Sequence, residues 1–372
     1  MKMKDLILIT GGAGFVGSHL TDVLLKEGYR VRILDNLDPQ VHGSGRFPEH
    51  LDQRAERIKG DVRDGAVVRE ALRGVDAVYH FAAAVGVGQS MYQIDHYTDV
   101  NNRGTAVLLE AIAQHRVSKL IVASSMSLYG EGFCRNGRGE IFAPGERTLD
   151  ALKAGRWEIA VDGQELEPVP TPETKPAAPS SVYALSKYDQ ERLCLMVGAS
   201  LGIPTAALRF FNIYGPRQAL SNPYTGVLAI FSSRLLNNRS PMIFEDGQQR
   251  RDFVSVHDIT RACLLALERT EAAGEVFNIG SGNDYRIVDL ARKVAEVLGK
   301  PHIQPELTGK YRVGDIRHCF GDIDKAQRLL GYQPQVSLEH GLEELGEWLQ
   351  GQSAQDRAED MQRELASRGL SL

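Results

Sequence analysis

The stretch Thr10-Gly11-Gly12-Ala13-Gly14-Phe15-Val16-Gly17 follows the short apolar run Leu6 to Ile9 and opens a helical pattern. Phe15, Val16, Leu20, Val23, Leu24 and Leu25 recur at helical spacing before Gly28, so a helix begins at Gly14, directly after a strand. Glycines at that junction permit a tight turn and close approach of backbone to a pyrophosphate. They also let helix pack closely on strand while the helix N-terminus faces the anion. Gly11, Gly14, Phe15, Val16 and Gly17 are therefore candidate contacts to a dinucleotide.

Further runs rich in β-branched residues alternate with longer helical patterns: Val31 to Asp35, Asp76 to Phe81, Leu120 to Ser124, Thr205 to Arg209 and Val276 to Asn278. This alternation predicts an α/β chain, a Rossmann-type doubly wound parallel sheet with a smaller C-terminal α/β substrate lobe. Asp35 closes the second strand 18 residues beyond Gly17, where a carboxylate accepts hydrogen bonds from the adenosine ribose. Its charge repels a 2′-phosphate, and Asn36-Leu37-Asp38 supply no arginine to bind one, so NAD is expected over NADP. Asn36 joins Asp35 as a candidate cofactor contact.

A chain of 372 residues suffices for a main domain and a second lobe. The expected division is a cofactor domain over 1–208, rejoined by 252–279, and a substrate lobe over 209–251 and 280–350. Residues 131–180 break the rhythm with many Gly, Pro and charged residues and read as a loop insertion or small subdomain. Residues 351–372 read as a charged, weakly amphipathic helix or a frayed end.

The 43 Lys plus Arg against 48 Asp plus Glu give a formal charge of -5 without a basic stripe, which argues against a nucleic-acid or membrane partner. Cys134, Cys194, Cys263 and Cys319 are scattered without a CxxC pair, as in a reducing compartment. The apolar run after Met1-Lys2-Met3-Lys4-Asp5 is too short for a secretory segment, so a cytoplasmic protein is expected.

In Ser181-Val182-Tyr183-Ala184-Leu185-Ser186-Lys187 the four-residue spacing puts Tyr183 and Lys187 on one helix face. A phenol is a poor base at neutral pH. A neighbouring ammonium and a cationic nicotinamide both favour its phenolate. The strand ending in Ala123-Ser124-Ser125-Met126-Ser127-Leu128-Tyr129-Gly130 supplies hydroxyls at a position suited to a reacting molecule.

With these residues in hand, the chain resembles the extended short-chain dehydrogenases/reductases of the NAD-dependent sugar epimerase/dehydratase family, with matches from Ile7 to about Pro334. Further matching motifs are Asp61-Val62, His80-Phe81-Ala82-Ala83, Asn101-Asn102-Arg103-Gly104-Thr105, Arg209 to Pro216, Arg251-Asp252-Phe253-Val254 and Phe277-Asn278-Ile279-Gly280. The resemblance implies that Asp61 and Val62 contact adenine. It implies that Ala82 and Ala84 line the NAD cleft with Asn101, Ser124 and Phe210, and that Lys187 binds the nicotinamide ribose. Asn212, Arg251, Asn278 and Arg312 then bind the substrate, a nucleotide-diphosphate sugar, the arginines through forked hydrogen bonds to its diphosphate. Helices beginning near Thr98 and at Tyr183 resemble those that pair in the family's homodimers.

The resemblance makes Ser125, Tyr183 and Lys187 the catalytic set and sets Ser127 against the sugar. The 4,6-dehydratases of the family carry Asp-Glu where this chain has Met126-Ser127. A thioether and a hydroxyl do not supply the acid and base that elimination needs. The expected reaction is 4-epimerisation, with a dTDP-6-deoxyhexose as the suggested substrate. The alternatives are a nucleotide-sugar dehydratase or 4-keto-reductase, or a non-catalytic NAD-binding protein. Similar enzymes bear cysteine pairs suggestive of zinc in the inserted segment. Here only Cys134 is present, so no metal is expected.

Overall fold

The computed structural model describes residues 5–312 and 314–371. Its centre is a seven-stranded sheet: β1 (Leu6–Thr10), β2 (Arg30–Asp35), β3 (Glu56–Lys59), β4 (Ala77–His80), β5 (Lys119–Ser125), β6 (Thr205–Phe210) and β7 (Val276–Ile279). The spatial order is β7-β6-β5-β4-β1-β2-β3, every pair parallel. The six apolar runs of the sequence become six of these strands. The seventh, β3, reads Glu-Arg-Ile-Lys and carries no apolar run, because it is an edge strand whose side chains are mostly exposed.

Alternate residues of β1 enter two separate cores, Ile7 and Ile9 on one face and Leu6 and Leu8 on the other. Helices α1 (Phe15–Lys26) and α5 (Val256–Glu268) cover the first face, through Leu20, Leu24, Ile259 and Cys263 among others. Helices α2 (Gly104–Gln114) and α3 (Val182–Leu201) cover the second, where Leu108, Ala111 and Ile112 of α2 are buried core. Covering on both faces is what lets a parallel sheet be apolar throughout.

A third core joins Tyr214, Phe253 and Leu220 to helices α4 (Val227–Leu236), α6 (Ile287–Val297) and α7 (Leu338–Leu349). Helix α8 (Ala358–Ser367) is packed: Met361 and Leu365 are buried, and the Arg368 guanidinium lies 4.3 Å from the Tyr92 ring centroid. Among the described residues no helix is long and apolar enough to cross a membrane, and no group of three or more His, Cys, Asp or Glu is arranged to hold a metal ion.

The 131–180 segment is ordered. It forms a three-stranded sheet, a hairpin and a short helix around Cys134, Ile159 and Leu166. A buried ionic cluster ties it to the third core's lobe. Arg317, fully buried, donates to Glu158 of the segment, to Glu245 at 2.8 Å and to Asp246 at 2.7 Å. Arg147 of the segment reaches Glu245 at 2.8 Å. Removing one partner from such a cluster strands the opposite charges in a poor solvent. Arg317→Met is expected to lower the unfolding free energy by about 3 kcal/mol. Urea unfolding followed by circular dichroism checks this, with Arg292→Met, in an exposed pair with Asp289, as the neutral reference.

Candidate active site

Gly11 adopts φ +71°, and a Cβ there would sit 2.8 Å from the Ala82 nitrogen at the end of β4. A Cβ on Gly17 would lie 2.5 Å from the Gly11 carbonyl oxygen and 2.6 Å from the Gly12 Cα. Side chains at either position would force the turn off the sheet. Gly14 caps α1 without a side-chain hydrogen bond, so the helix's first N–H groups face outward, the arrangement that receives an anion. Asp35 fixes the same turn. One carboxylate oxygen accepts the Ala13 N–H at 3.0 Å and the other accepts that of Leu37 at 2.9 Å, leaving lone pairs for a ribose. This cradle fits a dinucleotide.

A cleft of about 1170 Å³ runs from this turn across the C-terminal ends of the strands. That exceeds the roughly 300–1,000 Å³ of a single small-molecule site. Gly11, Gly14, Phe15, Val16, Gly17, Asp35, Asn36, Asp61, Val62, Ala82, Ala84, Ser124, Ser125, Tyr183, Lys187 and Phe210 all line it. Asp61 is held at about 2 by hydrogen bonds from Arg63, against its own desolvation.

Asn101 does not line the cleft. It is buried, accepts the Ala84 N–H at 2.7 Å and donates to the Ala84 carbonyl at 3.1 Å, so it shapes the wall from behind. Ser124 donates to Glu191 at 2.7 Å, and Glu191 in turn holds Arg209. Ser125 Oγ lies 2.9 Å from Ser127 Oγ and caps the short helix Met126–Tyr129. That capping turn buries Met126 and Ser127, and Ser127 is absent from the cleft wall.

The expected substrate residues are placed apart from this cleft. Asn278 is fully buried and spends its side chain on Tyr129, Thr171 and Asp322. Asn212 donates to the Asp252 carbonyl at 2.8 Å. Arg251 donates to the carbonyls of Ile316 and Arg317, while Arg312 pairs with Asp315 at 2.8 Å and lies 4.7 Å from the Phe244 ring centroid. Burial works against the Asp315 carboxylate, but Arg312 and Arg251 pull it below its usual range.

Several cleft residues carried no signal in the sequence. The segment after β2 folds back and brings Gln40, His42 and Arg46 to the wall, and Gln40 bridges to Gln89 and Asn222 at 3.0 and 3.2 Å. Tyr224 reaches the same region with its hydroxyl 2.5 Å from that of Tyr92. Among the described residues, the carboxylates that line the cleft are Asp35 at the end of β2 and Asp38, Glu49 and Asp61 in the segments following β2 and β3. Around Ser125, Tyr183 and Lys187 the wall offers hydroxyls, amides and aromatics.

Burial raises the Tyr183 phenol above its ordinary range, and a hydrogen bond with Ser125 opposes that only in part. Lys187 stands one helical turn further along α3. Burial lowers the lysine to about 8, and its ammonium is engaged by Gln190 at 2.7 Å.

The model of the NAD dependent epimerase/dehydratase family matches residues 7–280. A dTDP-L-rhamnose 4-epimerase of Burkholderia thailandensis is 36% identical over 347 residues, 92% of this chain and 94% of that protein. Among solved structures, the UDP-glucose 4-epimerase of Thermotoga maritima with UDP-glucose superposes with a TM-score of 0.76 at 32% identity, covering 93% of this chain and 98% of that one. The UDP-glucuronic acid 4-epimerase of Bacillus cereus, in complex with UDP-glucuronic acid and NAD, gives 0.74 at 30% identity, covering 93% and 99%.

The cradle's geometry makes Gly17→Ala a sharp probe. Purified Gly17→Ala protein is expected to carry less than about a tenth of the bound NAD of the parent, since its Cβ has no room without displacing the turn. Cofactor released by acid and quantified by enzymatic cycling gives the answer, and equal occupancy would contradict the assignment of this turn.

Proposed function

The chain belongs to the NAD dependent epimerase/dehydratase family, and from that membership we propose that it inverts C4 of a nucleotide-diphosphate sugar, with NAD as a retained cofactor. The observation that carries the reaction type is the wall around Ser125, Tyr183 and Lys187, which lacks carboxylates among the described residues lining the cleft there. Elimination of water needs an acid and a base beside the sugar. Inversion at C4 needs one base that can return its proton, and Tyr183 is that group.

Bound NAD supplies a reversible hydride acceptor at C4, so oxidation and reduction cancel over the cycle. Gly11, Gly14 and Gly17 with Asp35 hold its adenosine and pyrophosphate portions, and Lys187 its nicotinamide ribose. Tyr183, as phenolate, takes the proton from the sugar 4-hydroxyl while Ser125 donates a hydrogen bond to the same oxygen. The 4-keto sugar then turns its other face, and Tyr183 returns the proton as C4 is reduced. Turning demands that the nucleotide stay anchored, and Arg251 with Arg312 is the proposed anchor for the diphosphate, a role in which they would exchange their present carbonyl and Asp315 partners for it.

Uncharged groups such as Gln89, Tyr97, Asn222 and Tyr224 suit a sugar that presents two faces in turn. The substrate we favour is a dTDP-6-deoxyhexose such as dTDP-L-rhamnose, supported by the 36% identical relative. A cytoplasmic homodimer is the proposed working form. Helix α3 leaves Leu185 54% and Met196 60% exposed, three turns apart on one face.

Incubation with dTDP-, UDP-, GDP- and CDP-sugars, followed by proton NMR of the ring, is expected to show C4 inversion, and a C4 deuterium label should stay in the sugar. A 4-keto-6-deoxy product, or stoichiometric use of reduced cofactor, would sink the epimerase reading. Tyr183→Phe is expected to lower kcat by about 10²–10⁴-fold with NAD still bound. Leu185→Asp should shift the sedimentation coefficient from dimer to monomer, and an unchanged value would remove α3 from the interface.

A further inference from the structure

Behind the cleft wall lies a chain of buried polar groups that the mechanism above does not use. Gln190, fully buried on α3, accepts from the Lys187 ammonium through Oε1 at 2.7 Å. An ammonium only donates, so this contact fixes which way the amide points. Its Nε2–H then donates to Thr105 Oγ at 2.8 Å.

The rest of the chain follows by accounting for protons. Thr10 Oγ accepts the Ala82 N–H at 3.2 Å and lies 2.8 Å from His80 Nδ1, a contact either atom can donate. Thr105 Oγ donates to the Asn101 carbonyl at 2.5 Å and can only accept from His80 Nε2–H at 2.9 Å. Near neutral pH the ring is uncharged.

We propose that Gln190 is a positioning residue of the site: its amide, locked by Thr105, holds the Lys187 ammonium beside Tyr183 without cancelling the charge. A carboxylate in the same place would hold the lysine and neutralise its field. An apolar side chain would leave a buried ammonium short of an acceptor.

The other groups facing Lys187 leave this role open. Glu191 on the same helix is committed to Ser124 and to Arg209 of β6. Cys194, also on α3, is a neutral thiol that burial raises to about 12. His80 at the end of β4 is neutral, and Tyr97 is a phenol raised far above its usual range by burial. Tyr183 itself is the group the cation serves. Gln190 is the neutral acceptor that the structure gives Lys187.

This inference rests on the reading that Tyr183 and Lys187 perform the C4 chemistry, but its test need not. Lysine labelled with carbon-13 at Cε, the Lys187 resonance assigned through Lys187→Arg, reports the Lys187 titration in the NAD-loaded protein without any sugar. Gln190→Met is expected to move that titration about 1 pH unit down, and Gln190→Glu about 1 unit up. With a turned-over sugar, the alkaline limb of kcat should move the same two ways, about tenfold in rate at a fixed pH on that limb. A merely structural role would disturb both variants in one direction. Titrations that do not move, or that move together, overturn the proposal. If only Gln190→Glu folds, upward movement supports it and no movement refutes it. A wild-type chain that inverts no sugar would sink the functional reading and leave the NMR test of Gln190 standing.

Discussion

The cofactor half depends on how closely α1 sits on the end of β1. That contact exists because Gly17 has no Cβ to meet the Gly11 carbonyl 2.5 Å away. Once the helix is so near, its first N–H groups open onto the strand ends, and Asp35 of β2 can tie down the Ala13 N–H. On the other side β4 brings Ala82 to within 2.8 Å of where a Gly11 Cβ would be. The middle position of β1, between β4 and β2, therefore lets one short turn gather three strands around a single anion site. This is the switch-point crevice of a doubly wound sheet, produced by the absence of two methyl groups.

Many of the motif residues away from the cleft serve one another. Asp252 is buried and raised to about 6, and it accepts from the Ser281 N–H and hydroxyl and from the Gly282 N–H. A Cβ on Gly280 would come within 2.3 Å of that carboxylate, so the glycine after β7 is required by the aspartate before α5. Asn278 receives the Tyr129 hydroxyl at 2.7 Å, and the Tyr129 ring carries the Arg209 guanidinium at 4.9 Å. Arg209 closes on Glu191, and Glu191 on Ser124 in the cleft wall. Residues that look like ligand contacts when read in a row are here links in a rigid mount for β5, whose end bears Ser125.

The parallel strands were legible because each is a short apolar run bounded by helical spacing, and the catalytic pair because four residues make one helical turn. Signals of that kind are local. β3 escaped because an edge strand has no need of an apolar face. For residues 131–180 the sequence left loop and small subdomain both open, because what ties the segment down is charges far apart in sequence, Arg317 meeting Glu158 across the insertion boundary. Gln40 and Gln89 escaped for the same reason: each is an ordinary polar residue until the chain folds it against the cleft. Spacing places Lys187 one turn from Tyr183, but it cannot reveal that burial lowers the ammonium or that Gln190 engages it.

Within this family one scaffold serves both elimination and inversion, so the difference has to lie in a few atoms beside the sugar. In this chain the residues after Ser125 turn inward: Met126 joins Leu128, Tyr129 and Phe211 in a small core, and Ser127 hydrogen-bonds back to Ser125. The turn thus fixes the Ser125 hydroxyl and at the same time removes the two positions where an acid and a base for dehydration would stand. What remains lining the cleft beside Tyr183 and Lys187 is hydroxyl, amide and aromatic, without a carboxylate among the described residues there. Such a wall commits to neither face of a 4-keto sugar, and equal welcome to both faces is the physical requirement of an enzyme that must let its intermediate turn over before reducing it.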